Sequence, residues 1–142
     1  MIDIENIVIS TVKTAVQTAY PACAVYGVYV EAPSTFPCVS IVEDDNYTLR
    51  ATQDESLAEN HAQVMYSVNV YSNLTAGAKE QAKAIMAVVD TAMQNMRFTR
   101  TVRSQVPNLD RTIYRIVARY EAIVGKPQTI GGDTVYQMYR QQ

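Results

Sequence analysis

The side chains that could do chemistry are few, and their spacing does not suit it. His61 is the single histidine in a chain of 142 residues, so a nucleophile would have only one histidine to act as its base. The run Glu43-Asp44-Asp45 could bind a hard cation, but consecutive carboxylates lack the ligand spacing of a calcium loop. Cys23 and Cys38 do not form a zinc or redox motif, and we expect free, buried thiols. No glycine-rich phosphate loop is present. We therefore predict no catalytic, metal or cofactor site, and a protein that is not an enzyme.

The composition indicates one ordered, globular domain. The chain is 48% hydrophobic, with 5 glycines and 5 prolines, and a chain of this length can bury roughly 70% of its unfolded surface. The formal net charge of -2 gives no overall attraction to nucleic acid or to an anionic membrane. No apolar run reaches the ~18 residues of a membrane span. The first residues also lack the basic region of a secretory signal, so we expect a cytoplasmic protein.

The charges are unevenly distributed along the chain. Seven of the 14 acidic residues lie between positions 31 and 59, and six of the 12 basic residues lie between positions 97 and 119. If the second region is a pair of strands, period-two alternation places Arg97 with Arg103 and Arg115 with Arg119 on polar faces. The sequence therefore predicts a hairpin with a basic face.

Three interpretations of this charge separation stay open. The charges could be solvated or paired within one chain, where each pair would contribute about 0 to 1 kcal/mol. The acidic middle of one subunit could instead contact the basic hairpin of the next, head to tail, in a closed ring. The basic face could also bind nucleic acid. For a subunit interface, the residues that we select are Asp54, Glu55, Arg115 and Arg119.

The sequence predicts two helices and about five strands, which would position the charged residues. Residues 60–73 alternate with period two, and their apolar positions are Val64, Tyr66, Val68 and Val70. The following segment changes to the helical period, with one apolar stripe formed by Ala82, Ile85, Met86, Val89, Met93 and Met96. We expect the apolar stripe of this helix to pack on the apolar face of the strand.

The whole order of predicted elements is α-β-β-β-α-β-β. A first helix begins near Asp3 and ends at Tyr20-Pro21. Strands at 24–31 and 36–43 are predicted to form a hairpin, and residues 44–59 a long polar loop. Strands at 97–106 and 112–124 follow the second helix. This order favours a single α+β domain over residues 1–124, with both helices on one face of a mainly antiparallel sheet. Residues 125–142 are predicted to be a C-terminal extension with a short strand or hairpin.

Five segments, taken in order, resemble the tail terminator (tail completion) proteins of long-tailed bacteriophages, which are sometimes labelled minor capsid proteins. They are FPCVSIVEDDN, TQDESLAENHAQVMYSVNVYSN, AKAIMAVVD, FTRT and NLDRTIYRIVARYEAIV. The resemblance runs from about Ile4 to Val124 and carries no catalytic signature.

The resemblance implies a small α+β subunit that forms a hexameric ring at the head-proximal end of the tail tube. Such a ring terminates tail polymerisation and provides the head-tail joining surface in the neck of the virion, after assembly in the host cytoplasm. The implied partners are other copies of the protein, the major tail tube protein and the head-completion or connector protein, with no membrane. Non-specific contact with DNA in the ring bore is also implied.

Two alternatives to a terminator remain at this point. One is a head-completion or neck connector protein of the same particle. The other belongs to a different class, a small α+β ligand-binding or enzymatic domain, and it would require a concave pocket with convergent polar groups and perturbed titrating residues.

Overall fold

The computed structural model describes residues 1–30, 33–50, 61–107, 112–131, 133–136 and 138–139. Two helices and eight strands are assigned in these residues. In chain order they are α1 (Glu5–Ala19), β1 (Ala24–Tyr26), β2 (Cys38–Thr48), β3 (His61–Ser72), α2 (Ala78–Asn95), β4 (Thr99–Gln105), β5 (Tyr114–Gly125), β6 (Gln128–Ile130), β7 (Asp133–Val135) and β8 (Met138–Tyr139).

The main sheet has the strand order β1-β2-β3-β5-β4, and β8 also pairs with the end of β5. The pairs β2–β3, β3–β5 and β5–β4 are antiparallel. The predicted α+β fold of two helices and a sheet of about five strands is confirmed. The short strands β6 and β7 form a separate antiparallel hairpin.

The first two strands are parallel, so the predicted hairpin between 24–31 and 36–43 is wrong. Ala24 pairs with Cys38 and Tyr26 with Ser40 in parallel register. Parallel strands need a crossover, and the contacts of the connecting chain show its path. The Ser40 hydroxyl donates a hydrogen bond of 2.8 Å to the Val28 carbonyl oxygen. The Tyr71 hydroxyl donates one of 3.2 Å to the Val30 carbonyl oxygen. The crossover therefore lies against the sheet, which is mixed.

The hydrophobic core lies between the two helices and one face of the sheet, which we call the helix face. The β3 residues Val64, Tyr66, Val68 and Val70 are fully buried there, as the alternation predicted. They lie beside alternate residues of β5, because Tyr66 pairs with Tyr120 and Val68 with Ala118. The other side of the sheet carries Ser67, Asn69, Arg115 and Arg119, and we call it the open face.

The two helices bury apolar stripes against this core. In α1, a four-residue spacing brings Val8, Val12 and Val16 onto one buried line, since residues four apart share a helix face. In α2 the stripe agrees with the prediction at Ala82, Ile85, Met86, Val89 and Met93, which are all buried. Ala92 is buried as well, whereas the predicted Met96 is the C-cap of the helix and only half-buried. Arg97 follows α2 with φ 72°, a left-handed conformation that often ends a helix. Neither helix in the described part of the chain is long and apolar enough to cross a membrane.

Two register shifts change which side chains share a face. In β2 the shift lies between Glu43 and Asp45, and in β4 it lies between Arg100 and Val102. Each extra residue reverses the in-out alternation after it. β2 continues to Thr48, so the predicted loop over 44–59 is wrong for its first five positions. The loop residues 51–59 lie outside the described residues.

Candidate functional site

Arg115 lies on the open face and is held by neighbours within its own chain. Its Nε donates to the Asn69 side-chain oxygen at 3.0 Å, and its guanidinium carbon lies 5.5 Å from the centre of the Tyr71 ring. Asn69 is almost fully buried, so this bond satisfies a polar group that would otherwise be costly to bury. Arg115 therefore has a structural role in addition to the interface role predicted for it.

Arg119 shares this face and is exposed. It pairs across the sheet with Ser67, whose hydroxyl donates to an Asp44 carboxylate oxygen. Within the described residues, the Arg119 guanidinium has no hydrogen bond or ion pair. No described residue therefore offsets its charge. Asp54 and Glu55, which were predicted to contact it in a neighbouring subunit, lie outside the described residues.

The predicted basic face is only partly correct, because Arg103 does not lie with Arg115 and Arg119. Arg103 pairs with Ala118, which is buried on the helix face, whereas Val102 pairs with Arg119 on the open face. The bulge at Thr101 causes this exchange, since it inserts one residue into the alternation. Val102 is consequently 45% exposed. Arg97 precedes β4 and belongs to neither face of that strand.

The bulge instead places Arg103 beside two lysines of α2. Lys79, Lys83 and Arg103 line one groove of about 240 Å³ between α2 and β4. Lys79 and Lys83 are four residues apart and therefore lie on the same side of the helix. Within the described residues, none of these three cations has an ion-pair partner. We call Lys79, Lys83 and Arg103 the basic edge cluster, because β4 is the last main strand on this side of the sheet.

Three carboxylates form a matching group at the other side of the sheet. One oxygen each of Asp3, Glu5 and Glu43 lies within 4.8 Å of the others. Glu43 is on the helix face, where it pairs with Tyr66 and accepts a hydrogen bond of 2.8 Å from the Tyr66 hydroxyl. Carboxylates this close repel one another unless cations offset their charge. We call Asp3, Glu5 and Glu43 the acidic edge cluster.

Asp90 of α2 fixes the position of β4 relative to the helix. Its Oδ1 accepts hydrogen bonds of 2.9 Å from the Tyr120 hydroxyl and from Arg100, and its Oδ2 accepts one of 2.8 Å from Gln94. The Asp90 side chain is 18% exposed, whereas Arg100 is 42% exposed. Burial and the Asp90 carboxylate both raise the pKa of the Tyr120 hydroxyl, which therefore stays protonated and can donate.

An Asp90→Ala variant is expected to lose about 2 to 3 kcal/mol of free energy of unfolding, because the buried Tyr120 hydroxyl would lose its charged acceptor. Urea unfolding followed by circular dichroism measures this loss. Gln94→Ala removes the exposed hydrogen bond that this side chain donates to the same carboxylate, and its expected effect is less than about 0.5 kcal/mol. Equal losses in the two variants would contradict a buried bond that positions β4.

Several cavities lie on the surface of the described part of the chain. One of about 430 Å³ lies at the end of the sheet, and its lining contains no carboxylate, histidine, cysteine or lysine; the lining residues are Asn73, Leu74, Thr75, Ala78, Gln105, Thr112, Ile113 and Tyr114. Cys23 and Cys38 are free and buried, as predicted. His61 begins β3 and is half-buried. Burial is the main cause of the raised pKa values of the thiols Cys23 and Cys38 and of the hydroxyls of Tyr66, Tyr71 and Tyr120.

Sequence reasoning missed the two edge clusters. The spacing of Lys79 and Lys83 was a visible signal of one helix face. Their closeness to Arg103, however, depends on a bulge that no sequence pattern marked. Asp3 and Glu5 are about forty positions from Glu43 in the sequence. The periodicity of a single element therefore cannot predict that the three lie close together.

One comparison with known proteins identifies a family. A family model described as "Tail completion protein gp17" matches residues 10–125. This match includes β1 to β5 and all of α2. A search of curated proteins finds no match.

Proposed function

This chain belongs to the tail completion protein gp17 family, and from that premise we propose that it forms a ring that ends the phage tail tube. The family places the protein among virion components that assemble phage tails. The finer proposal is a homohexameric ring at the head-proximal end of the tube. There it stops the addition of tube protein and offers the surface to which the head connector docks.

The observation that carries the proposal is the pair of unlike charge clusters on one subunit. The basic edge cluster lies beside β4, and the acidic edge cluster lies beside β2, at opposite sides of the same sheet. Unlike surfaces at opposite ends of a subunit favour head-to-tail contacts, which generate a ring when the rotation closes. A structural role without catalysis is part of the proposal, and it is supported by the burial of the thiols and by the lining of the cavity at the end of the sheet.

The proposed partners are other copies of this chain, the major tail tube protein and the connector or head-completion protein. DNA that passes through the bore of such a ring would meet its charged side chains without sequence readout. The neck of the virion is the proposed location, and assembly in the host cytoplasm is the proposed route. We also propose that Arg115, Arg119, Asp54 and Glu55 contribute to subunit contact.

Mass measurement with and without tail tubes tests the ring. Tubes purified from particles that lack this protein should bind six copies at one end, and electron microscopy should show the added density at that end alone. Bound tubes should also stop growing when tube protein is added. Binding along the whole tube, or no binding, would contradict the proposal. Binding to connectors but never to tubes would instead favour a neck connector.

A charge reversal at Arg119 tests whether the open face of one subunit contacts its neighbour. An Arg119→Glu variant is expected to weaken ring assembly about tenfold or more, a change of about 1.4 kcal/mol, because an exposed cation would become an anion. Its folding should not change, since the side chain has no bond within the described residues. Native mass spectrometry measures assembly, and the melting temperature monitors the fold.

The matched control for Arg119→Glu is Lys13→Glu, which reverses one exposed charge on the polar side of α1. It changes net charge by the same amount, so it should leave ring mass as in the unchanged protein. If both variants assemble normally in low salt, where exposed charges interact most strongly, Arg119 is not a contact residue.

A further inference from the structure

Both sides of the main sheet end in backbone that has a strand neighbour on one side only. Among the residues that the structure describes, β4 pairs with β5 alone, and β1 covers β2 only at Cys38–Ser40. In the described part of the chain, Ile41–Tyr47 of β2 therefore has β3 as its single strand neighbour. Such strands present unpaired N–H and C=O groups, and they are templates for another strand.

The backbone of β4 shows which groups are available. The Val106 N–H donates to the Arg115 carbonyl oxygen at 3.0 Å, on the side of β5. Because these bonds alternate along an antiparallel strand, the N–H groups of Ser104 and Val102 also point toward β5. Those of Arg103 and Gln105 point away from the sheet, where a further strand would lie.

The side chains beside β4 and beside Ile41–Tyr47 of β2 have opposite charge and share one face of the sheet. Arg103 lies on the helix face together with Lys79 and Lys83. Glu43 lies on the helix face together with Asp3 and Glu5. When strands pair, residues opposite one another meet on the same face. Three cations would therefore meet three carboxylates.

We propose that the sheet continues from one copy to the next, with β4 of one subunit pairing with Ile41–Tyr47 of its neighbour. The basic edge cluster of the first subunit then contacts the acidic edge cluster of the second. This inference rests on the ring of the proposed function, and it names the contact that closes the ring.

Charge and strand direction both favour this arrangement over a two-fold dimer. Pairing β4 with a second β4 would bring two basic edge clusters together, and like charges opposite one another destabilise a strand pair. β4 runs antiparallel to β2 within one sheet, because three successive antiparallel pairs separate them. Rotation about an axis roughly along the strands keeps these directions. β4 of one copy therefore meets β2 of the next in antiparallel register.

A proline in β4 tests whether the outward N–H groups of this strand bond to the neighbouring subunit. Gln105→Pro removes an N–H that points away from β5, and proline is tolerated on the outer side of an edge strand. The variant should fold, with an unchanged circular dichroism spectrum, and it should reduce ring assembly on tail tubes about tenfold or more. Gln105→Ala keeps the N–H, and it should assemble normally. Normal rings from a folded Gln105→Pro protein would overturn the strand pairing.

Charge exchange tests the pairing of the two clusters. Arg103→Glu and Glu5→Lys should each weaken assembly, and the double variant should recover it. The two single variants, mixed in equal amounts, should form rings that alternate between them, because each altered edge then meets a complementary one. Native mass spectrometry distinguishes this alternating composition by mass. Mixing that restores nothing, with both proteins folded, would overturn the contact.

The outcomes separate this inference from the proposed function. If Gln105→Pro forms rings of normal mass at the tube end, the pairing of β4 with β2 of the next copy is wrong. The same result would agree with a tail terminator. Absence of any ring from the unchanged protein, with or without tubes at high concentration, would overturn both.

Discussion

A Tyr66→Ala variant is expected to lose about 3 to 5 kcal/mol of free energy of unfolding, as removal of a large buried ring generally does. Tyr66 is 0% exposed and packs edge-to-face on Phe98, with ring centres 5.6 Å apart. The change would also leave Glu43 without the hydroxyl that it accepts from. Because domains of this kind are stable by only about 5 to 15 kcal/mol, the variant should lose a large share of its stability and unfold at a clearly lower urea concentration.

Two further variants divide this effect into its parts. Tyr66→Phe keeps the ring and removes the hydrogen bond, so it should lose about 1 to 2 kcal/mol. Met65→Ala changes the adjacent residue, which is half-buried on the open face, and it should lose about 1 kcal/mol or less. Denaturant unfolding of all three proteins measures the series. Similar losses at positions 65 and 66 would show that the helix face is not the main core.

Stability is expected to fall steeply at alkaline pH, by roughly 4 kcal/mol between pH 9 and pH 11 from the two thiols. Burial raises the pKa of Cys23 from 9.0 to about 11. Burial, together with the charge of Cys23, raises the pKa of Cys38 from 9.0 to about 12. Below pH 9 both thiols are protonated in the folded and unfolded chains, so their contribution is fully present. Above pH 9 the unfolded chain loses these protons first, and each group costs about 1.4 kcal/mol per pH unit until its folded pKa is reached.

Removal of both thiols isolates their part of this dependence. The Cys23→Ala, Cys38→Ala double variant should be less stable at neutral pH because it leaves small cavities, but its stability should fall less steeply from pH 9 to pH 10. Buried Tyr66 and Tyr120 also have raised pKa values, so some loss above pH 10 should remain. Urea unfolding at closely spaced pH values measures the slopes. Identical slopes for the two proteins would mean that the thiols are accessible to water in the folded state.

The central part of the fold could be predicted because burial there follows a simple period. Val64, Tyr66, Val68 and Val70 alternate without interruption, and β3 has neighbours on both sides. The α2 stripe is equally regular, since Ile85, Met86, Val89 and Met93 all face the same sheet. In each of these segments a single face is buried. The spacing of the apolar residues alone therefore predicts which side chains enter the core.

The parts that could not be predicted depend on contacts between distant residues. β1 has only three residues, too few for its period to show a direction, and Val28 and Val30 accept bonds from the side chains of other strands. The bulge at Thr101 is similarly hidden, because an added residue leaves no mark in composition. It moved Arg103 from the open face to the helix face. The basic edge cluster depends on this bulge, whereas the acidic edge cluster depends on the contact of Asp3 and Glu5 with Glu43 of β2.

The pairing of β3 with β5 has a consequence for synthesis of the chain. These two strands lie at the centre of the sheet, and β5 reaches Gly125. A nascent chain whose last emerged residue is near Asn95 contains both helices, but β3 then lacks half of its neighbours. Strand pairs distant in sequence form late and slowly, and partly formed sheets expose surfaces that aggregate. The ribosome must therefore translate as far as Gly125 before the sheet can fold cooperatively, and slow translation of the codons for β5 would lengthen the period in which chaperones are needed.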